Sequence, residues 1–151
     1  MGTEFRTEQS SELYRRMRQR RRLESGRSKN VLVVDDDESV RELIAMVLEA
    51  DGYTVLRARH APEALLFNNE FTGSLDLLVT DFCMKPHQNG FELAREVRVS
   101  RPDIRVLYVS GFVEHNVLQS ELDCSAAHFL AKPFSPSSLL NSVNMALGVL
   151  T

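Results

Sequence analysis

The chain has 151 residues, 43% of them apolar, with no Trp, two Cys and a formal net charge of -3. That length suits one domain with its own core and is too short for a catalytic domain joined to an independent effector domain. No apolar run reaches the roughly 18 residues of a membrane span. The first residues carry acids where a signal peptide would be apolar, and Cys83 and Cys124 stand apart with no CxxC and no histidine at metal spacing. A membrane span, a secretory leader, a disulfide framework and a zinc site are therefore not expected, whereas a cytoplasmic location is.

Charge divides the chain near Asn30. Residues 1–30 hold nine Arg or Lys and four Glu, a net +5, and the rest hold nine basic and seventeen acidic residues, a net -8. Residues 1–29 read as a basic tail or linker and residues 30–151 as the folded domain. In the tail Leu13, Tyr14 and Met17 fall at helical spacing among arginines from Arg15 to Arg22, so a short amphipathic helix is conceivable, but the segment cannot form a core alone. A solvated tail is the favoured reading over a dimerising helix or a basic arm on nucleic acid or anionic lipid, and no aromatic residues interleave with the arginines as a base-stacking platform would want. The leading "GTEF" resembles an expression-vector remnant and carries no functional weight.

Beyond the tail, strand and helix signals alternate. "VLVV" at 31–34 suits a buried strand. It precedes a helix from about Ser39 to Asp51, with Val40, Leu43, Ile44, Val47 and Leu48 on one face, Ser39 as N-cap and Gly52 as the stop. "YTVLRA" is a second strand, and Pro62 opens a helix through about Phe71. "LDLLVTD" is a third strand, "FELAREVRVS" a third helix, "IRVLYVS" a fourth strand and "VEHNVLQSEL" a weaker fourth helix. "AHFLA" is a short fifth strand. "SPSSLLNSVNMALGVL" closes the chain, with Ser135 as N-cap, Pro136 in the first turn, and Leu139, Leu140, Val143, Leu147 and Leu150 on one face. Five strand–helix units with strands apolar on both faces predict an open, parallel, doubly wound sheet of the α/β class.

In such sheets the functional site lies beyond the carboxyl ends of the strands. The first strand ends in Asp35, Asp36 and Asp37, the third in Asp81, the fourth in Ser110 and the fifth in Lys132 before Pro133. Adjacent carboxylates repel by roughly 4 kcal/mol at 4 Å when the effective dielectric is about 20, so the cluster calls for a counter-charge. Hard oxygen donors without His or Cys suit Mg2+. An aspartate beside such a metal can attack phosphorus and form an acyl phosphate. On this reading Asp36, helped by Asp35, holds the metal, Asp81 accepts the phosphoryl group, Ser110 donates to a phosphoryl oxygen and Lys132 neutralises charge. Asp37 reads as a solvated helix-start residue in preference to a third metal ligand.

The stretches "VLVVDDDESVREL", "LDLLVTDFCM", "NGFELAREVR", "PDIRVLYVSGF" and "HFLAKPF", spread over residues 31 to about 148, resemble the receiver domain of two-component response regulators. "LYVSGF" and "KPFSPSSLL" are similar to receivers attached to hybrid histidine kinases. The resemblance implies a flavodoxin-like (βα)5 fold with strand order 2-1-3-4-5. It implies Asp35 and Asp36 as the acidic pair, Asp81 as phosphoacceptor and metal ligand, and the Cys83 backbone carbonyl as a further ligand. It also implies Ser110 and Phe129 as switch residues, Lys132 as the conserved cation, and a cis bond before Pro133. The implied partner is a sensor histidine kinase or a histidine phosphotransfer protein, with a homodimer as a further candidate and nucleic acid disfavoured. The implied output is a change in the surface made by the fourth helix, fifth strand and fifth helix. The chain would then catalyse only its own phosphorylation and dephosphorylation.

One departure is the loop "DFCMKPHQNG", where Pro86 follows Asp81 by one residue more than the family pattern, so that Lys85 looks inserted. A tolerated loop variation is preferred over a weakened metal site. A second insertion falls in "ELDCSAAHF". Two alternatives stay open: a pseudo-receiver that binds proteins without phosphorylation, and a haloacid-dehalogenase-like phosphatase using Asp35 and Asp37. Cys83 reads as a backbone donor and not a redox sensor, and His60, His87, His115 and His128 as surface or loop residues.

Overall fold

The computed structural model describes Glu12, Arg16 and residues 29–84, 89–111 and 128–149. Its sheet strands are β1 (Asn30–Val34), β2 (Thr54–Ala58), β3 (Leu77–Asp81), β4 (Arg105–Ser110) and β5 (His128–Ala131). All pair in parallel in the order β2-β1-β3-β4-β5. The helices among the described residues of the domain are α1 (Glu38–Ala50), α2 (Ala61–Glu70), α3 (Gly90–Ser100) and α4 (Pro136–Leu147). This is the flavodoxin-like arrangement expected. The proposed helix in "VEHNVLQSEL", the Lys85 loop, His87, His115, Cys124 and Leu150 lie outside the described residues.

The apolar runs become strands because both faces of the sheet are covered. Successive side chains on a strand point to opposite faces, so Val31 and Val33 enter a layer with Ile44 and Leu48 of α1 and Leu139 and Val143 of α4. Leu32 and Val34 enter the other, with Ala64 of α2 and Leu93 and Val97 of α3. Val31 to Val34 are at most 1% exposed, each contributing about 1.5 to 3 kcal/mol of burial energy.

Several element ends differ from the sequence reading. The N-cap of α1 is Asp37, whose carboxylate accepts the N–H groups of Ser39 and Val40, so Ser39 lies inside the helix. A carboxylate at that position satisfies two orphan donors and favours the helix dipole. Gly52, at φ 96°, follows the C-cap Asp51 and ends the helix as expected. The buried stripe of α1 is Arg41, Ile44, Ala45 and Leu48, and Leu43 is 42% exposed. The N-cap of α2 is His60, whose Nδ1 accepts the Glu63 N–H at 3.2 Å, so this histidine has a structural role. His128 is likewise a half-buried residue of β5 and not a loop residue. Ser135 caps α4 with Pro136 in its first turn, as expected, and Gly148 closes it at φ 68°.

Arg101 ties the ends of α2 and α3 together. Its guanidinium donates to Asn68 Oδ1 at 2.7 Å and to the carbonyls of Asn68, Phe71 and Gly73 at 2.7 to 3.0 Å. Those carbonyls lie at the C-terminal end of α2 and just beyond it, where backbone acceptors lack helical partners.

Candidate functional site

The parallel register brings the carboxyl ends of β1, β3, β4 and β5 to one edge. Asp35 leaves β1 fully buried, its N–H on the Ala58 carbonyl at 3.2 Å and its Oδ1 accepting the Asp37 N–H at 2.9 Å. The buried Arg41 donates from Nη1 to the Asp35 carbonyl at 3.1 Å and so fixes the turn from within α1. Asp36 follows, exposed to solvent. Asp81 ends β3 at 6% exposure, and its Oδ1 accepts the Cys83 N–H at 3.4 Å. One carboxylate oxygen from each of Asp35, Asp36 and Asp81 lies within 4.8 Å of the other two.

Lys132 faces this cluster from the end of β5. Its Nζ is 3.2 Å from Asp35 Oδ2 and 3.6 Å from Asp81 Oδ1. The approach to Asp35 Oδ2 is an ion pair, and the buried Ser110 Oγ has no hydrogen-bond partner among the described residues. The Lys132 N–H donates to the Ser110 carbonyl at 2.8 Å, which fixes the lysine beside the end of β4, and the Lys132–Pro133 peptide bond is cis.

Burial and crowding move the charges of the site. Asp81 is pushed up to about 7, first by burial and then by the neighbouring Asp35 charge. Asp35 is also raised, mainly by burial. For Lys132, burial pulls downward, but Asp35 and Asp81 outweigh it and hold the ammonium above its usual value. Among the described residues Lys132 pairs with two of the three clustered acids, a set that accepts a further hard cation. The three carboxylate oxygens, one from each acid and all within 4.8 Å of one another, are close enough to converge on one ion. The oxygen-only donor set of Asp35, Asp36 and Asp81 fits that ion.

The floor of the site is tight. A Cβ on Gly90 would stand 2.5 Å from the Asp81 carbonyl oxygen, and the Gly90 N–H donates to the Phe82 carbonyl at 2.8 Å. Glycine is thus required where α3 meets β3. The half-buried Phe129 stacks on Tyr108 of β4 with ring centroids 5.3 Å apart, and Tyr108 meets Phe82 edge-on at 6.3 Å. Asp37 stands at the rim as a helix cap, and Cys83, two residues past Asp81, is exposed and in no disulfide. The sequence reading overlooked Arg41 and Tyr108. Arg41 interrupts the apolar stripe of α1 at helical spacing, and Tyr108 shares the strand face of Ser110, two residues away.

A parallel sheet in this order, with acids, a hydroxyl and a lysine at its carboxyl edge, defines a flavodoxin-like domain with an acidic site at the strand ends. Residues 31–144 match the response regulator receiver domain family, and the chain belongs to it. The chain is 37% identical over 120 residues to the sensor kinase CckA of Brucella abortus, covering 80% of this chain and 13% of that protein. It is 28% identical over 119 residues to the response regulator SaeR of Staphylococcus aureus, covering 78% of this chain and 50% of that one. It therefore spans half or less of the length of these relatives. The solved structure of the chemotaxis protein CheY4 of Vibrio cholerae superposes with a TM-score of 0.66 at 27% identity, over 80% of this chain and all of that one.

Proposed function

We propose that the chain is a working phosphoacceptor, in which Asp81 takes a phosphoryl group from a phosphohistidine of a sensor kinase or phosphotransfer protein. The observation that carries this reading is the convergence of Asp35, Asp36 and Asp81 within 4.8 Å, faced by Lys132 at 3.2 and 3.6 Å. An Asp81 carboxylate oxygen forms the bond to phosphorus as the P–N bond of the donor breaks, and the departing imidazole retains the electron pair and takes a proton. Mg2+, when bound, neutralises charge on the transferring group and on the cluster. Asp35, Asp36, Asp81 and the Cys83 carbonyl are the residues that would hold it.

The remaining steps belong to the chain's own side chains. Lys132 pairs with a phosphoryl oxygen, relieving the burden it carries between Asp35 and Asp81. Ser110, whose hydroxyl is buried without a partner among the described residues, donates to another. The modification adds about -1.5 to -2 charges at the end of β3. Ser110 moves toward it, and Phe129 turns into the space released, altering the surface around β5. The chain acts on no separate substrate and catalyses only its own phosphorylation and dephosphorylation.

The test is a phosphate-affinity gel after incubation with acetyl phosphate, with and without Mg2+. A retarded band that needs Mg2+ and is lost in Asp81→Asn supports the reading. A band lost in Asp35→Asn but kept in Asp81→Asn indicates a phosphatase-like nucleophile in the first motif. No band under any condition indicates a pseudo-receiver.

A further inference from the structure

Two neighbouring helices display apolar side chains to solvent where the basic tail leaves the domain. Helices α1 and α4 pack together and share one core layer. On α1, Val40 and Val47 are drawn into that layer, and Leu43, one turn from each, continues the stripe outward, with Met46 64% exposed beyond it. The opposite flank of α1 is occupied, since Glu42 and Glu49 hold Arg57 of β2 at 3.1 and 2.6 Å. On α4, Met145 is 69% exposed, and the helix sequence PSSLLNSVNMAL contains no charge.

Neither helix has a basic residue in its last turn, so the negative ends of both dipoles lack a counter-charge from their own residues. The tail starts beside them. The Lys29 carbonyl accepts the Thr54 N–H at 3.0 Å, just past the end of α1, and Lys29 and Leu147 line one cleft. Upstream, Leu13, Tyr14 and Met17 stand at helical spacing, and Glu12 and Arg16 are helical and paired at 3.0 Å.

We propose that the segment around Leu13 to Met17 folds back onto the outward face of α1 and α4. Leu13, Tyr14 and Met17 cover Met46 and Met145, and the arginines nearer Lys29 lie along the two helix ends. Residues 1–30 carry +5 against -8 on the remainder, so the attraction has the right sign. The stretch from Met17 to Lys29 can extend to about 40 Å, twice the roughly 20 Å length of a helix like α1. A tether of that kind supplies an effective concentration on the order of mM, which favours the chain's own tail over a second copy in dilute solution.

The five methionines, Met1, Met17, Met46, Met84 and Met145, allow a direct test on the full chain labelled with 13C-methyl methionine. Met84 is buried in the opposite layer and serves as the internal reference for an intact fold. Two tail variants are compared with the parent protein: Tyr14→Leu, which keeps apolar contact but removes the ring current, and Leu13→Ser combined with Tyr14→Ser. The expected result is that the Met46 and Met145 methyl signals move in both variants while Met84 stays fixed, with shifts independent of protein concentration. Unmoved Met46 and Met145 signals overturn the proposal. Shifts that appear only as concentration rises also overturn it and assign the face to a second copy of the chain.

Discussion

The acid cluster makes the metal-free protein less stable as pH rises, opposite to the behaviour of salt-bridged carboxylates. Asp81 has a pKa of about 7 in the folded chain against 3.8 for the ordinary side chain. Between those values the folded protein binds more protons than the unfolded chain, so stability falls with increasing pH. From pH 5 to pH 8 the loss from Asp81 alone is about 2 to 3 kcal/mol. It is complete once the pH has passed the folded value. Asp35, also raised, adds to it with the same sign. Lys132 is raised from 10.5, so its contribution is fully present throughout this window and does not alter the slope. Urea denaturation in EDTA at both pH values, for the parent protein and Asp81→Asn, isolates the effect, because asparagine is neutral at both. The difference in stability, parent minus variant, should drop by about 2 to 3 kcal/mol between pH 5 and pH 8. Mg2+ at about 100 times its dissociation constant should return about 2.7 kcal/mol to the parent. A difference that stays constant or grows with pH would refute the reasoning.

Substitutions at three further positions probe the site and the scaffold that carries it. Gly90→Ala places a Cβ against the Asp81 carbonyl at 2.5 Å; denaturation should show a loss of about 1 to 3 kcal/mol, and Mg2+ titration a weaker affinity. Arg101→Lys should cost nearly as much as Arg101→Ala, about 2 to 4 kcal/mol, because one ammonium cannot serve acceptors spread over Asn68, Phe71 and Gly73. Recovery of most of the stability in the lysine variant would contradict the forked geometry. Ser110→Ala removes a buried hydroxyl that has no hydrogen-bond partner among the described residues, so the unmodified protein should lose no stability and gain up to about 1 kcal/mol, and a loss would point to a bond in the resting state.

The strands were legible because residues covered on both faces must be apolar without interruption, as in Val31 to Val34 and Leu77 to Val79. The site was legible for a related reason, since chain topology alone carries the last residues of β1, β3, β4 and β5 to one edge. Asp35, Asp81 and Lys132 needed no side-chain detail to be placed together. Local competition obscured the rest. Asp37 and Ser39 are both good caps, and the choice fell to Asp37 because its backbone is extended at ψ 112°. Leu43 reads as core by period but lies at the edge of the stripe, while Arg41, polar by type, is buried because the Asp35 carbonyl needs its donor. His60 as a cap and Tyr108 as the partner of Phe129 depend on contacts between elements distant in sequence or on an uncommon capping residue.

The central claim is that Asp81, and not the first-strand acids, carries the phosphoryl group. Treatment with acetyl phosphate and Mg2+, followed by borohydride reduction and peptide mass mapping, reads the site directly because reduction converts an aspartyl phosphate to homoserine. Homoserine at residue 81, dependent on Mg2+, is the predicted result. Homoserine at residue 35 or 36, or at none of the three, would contradict it.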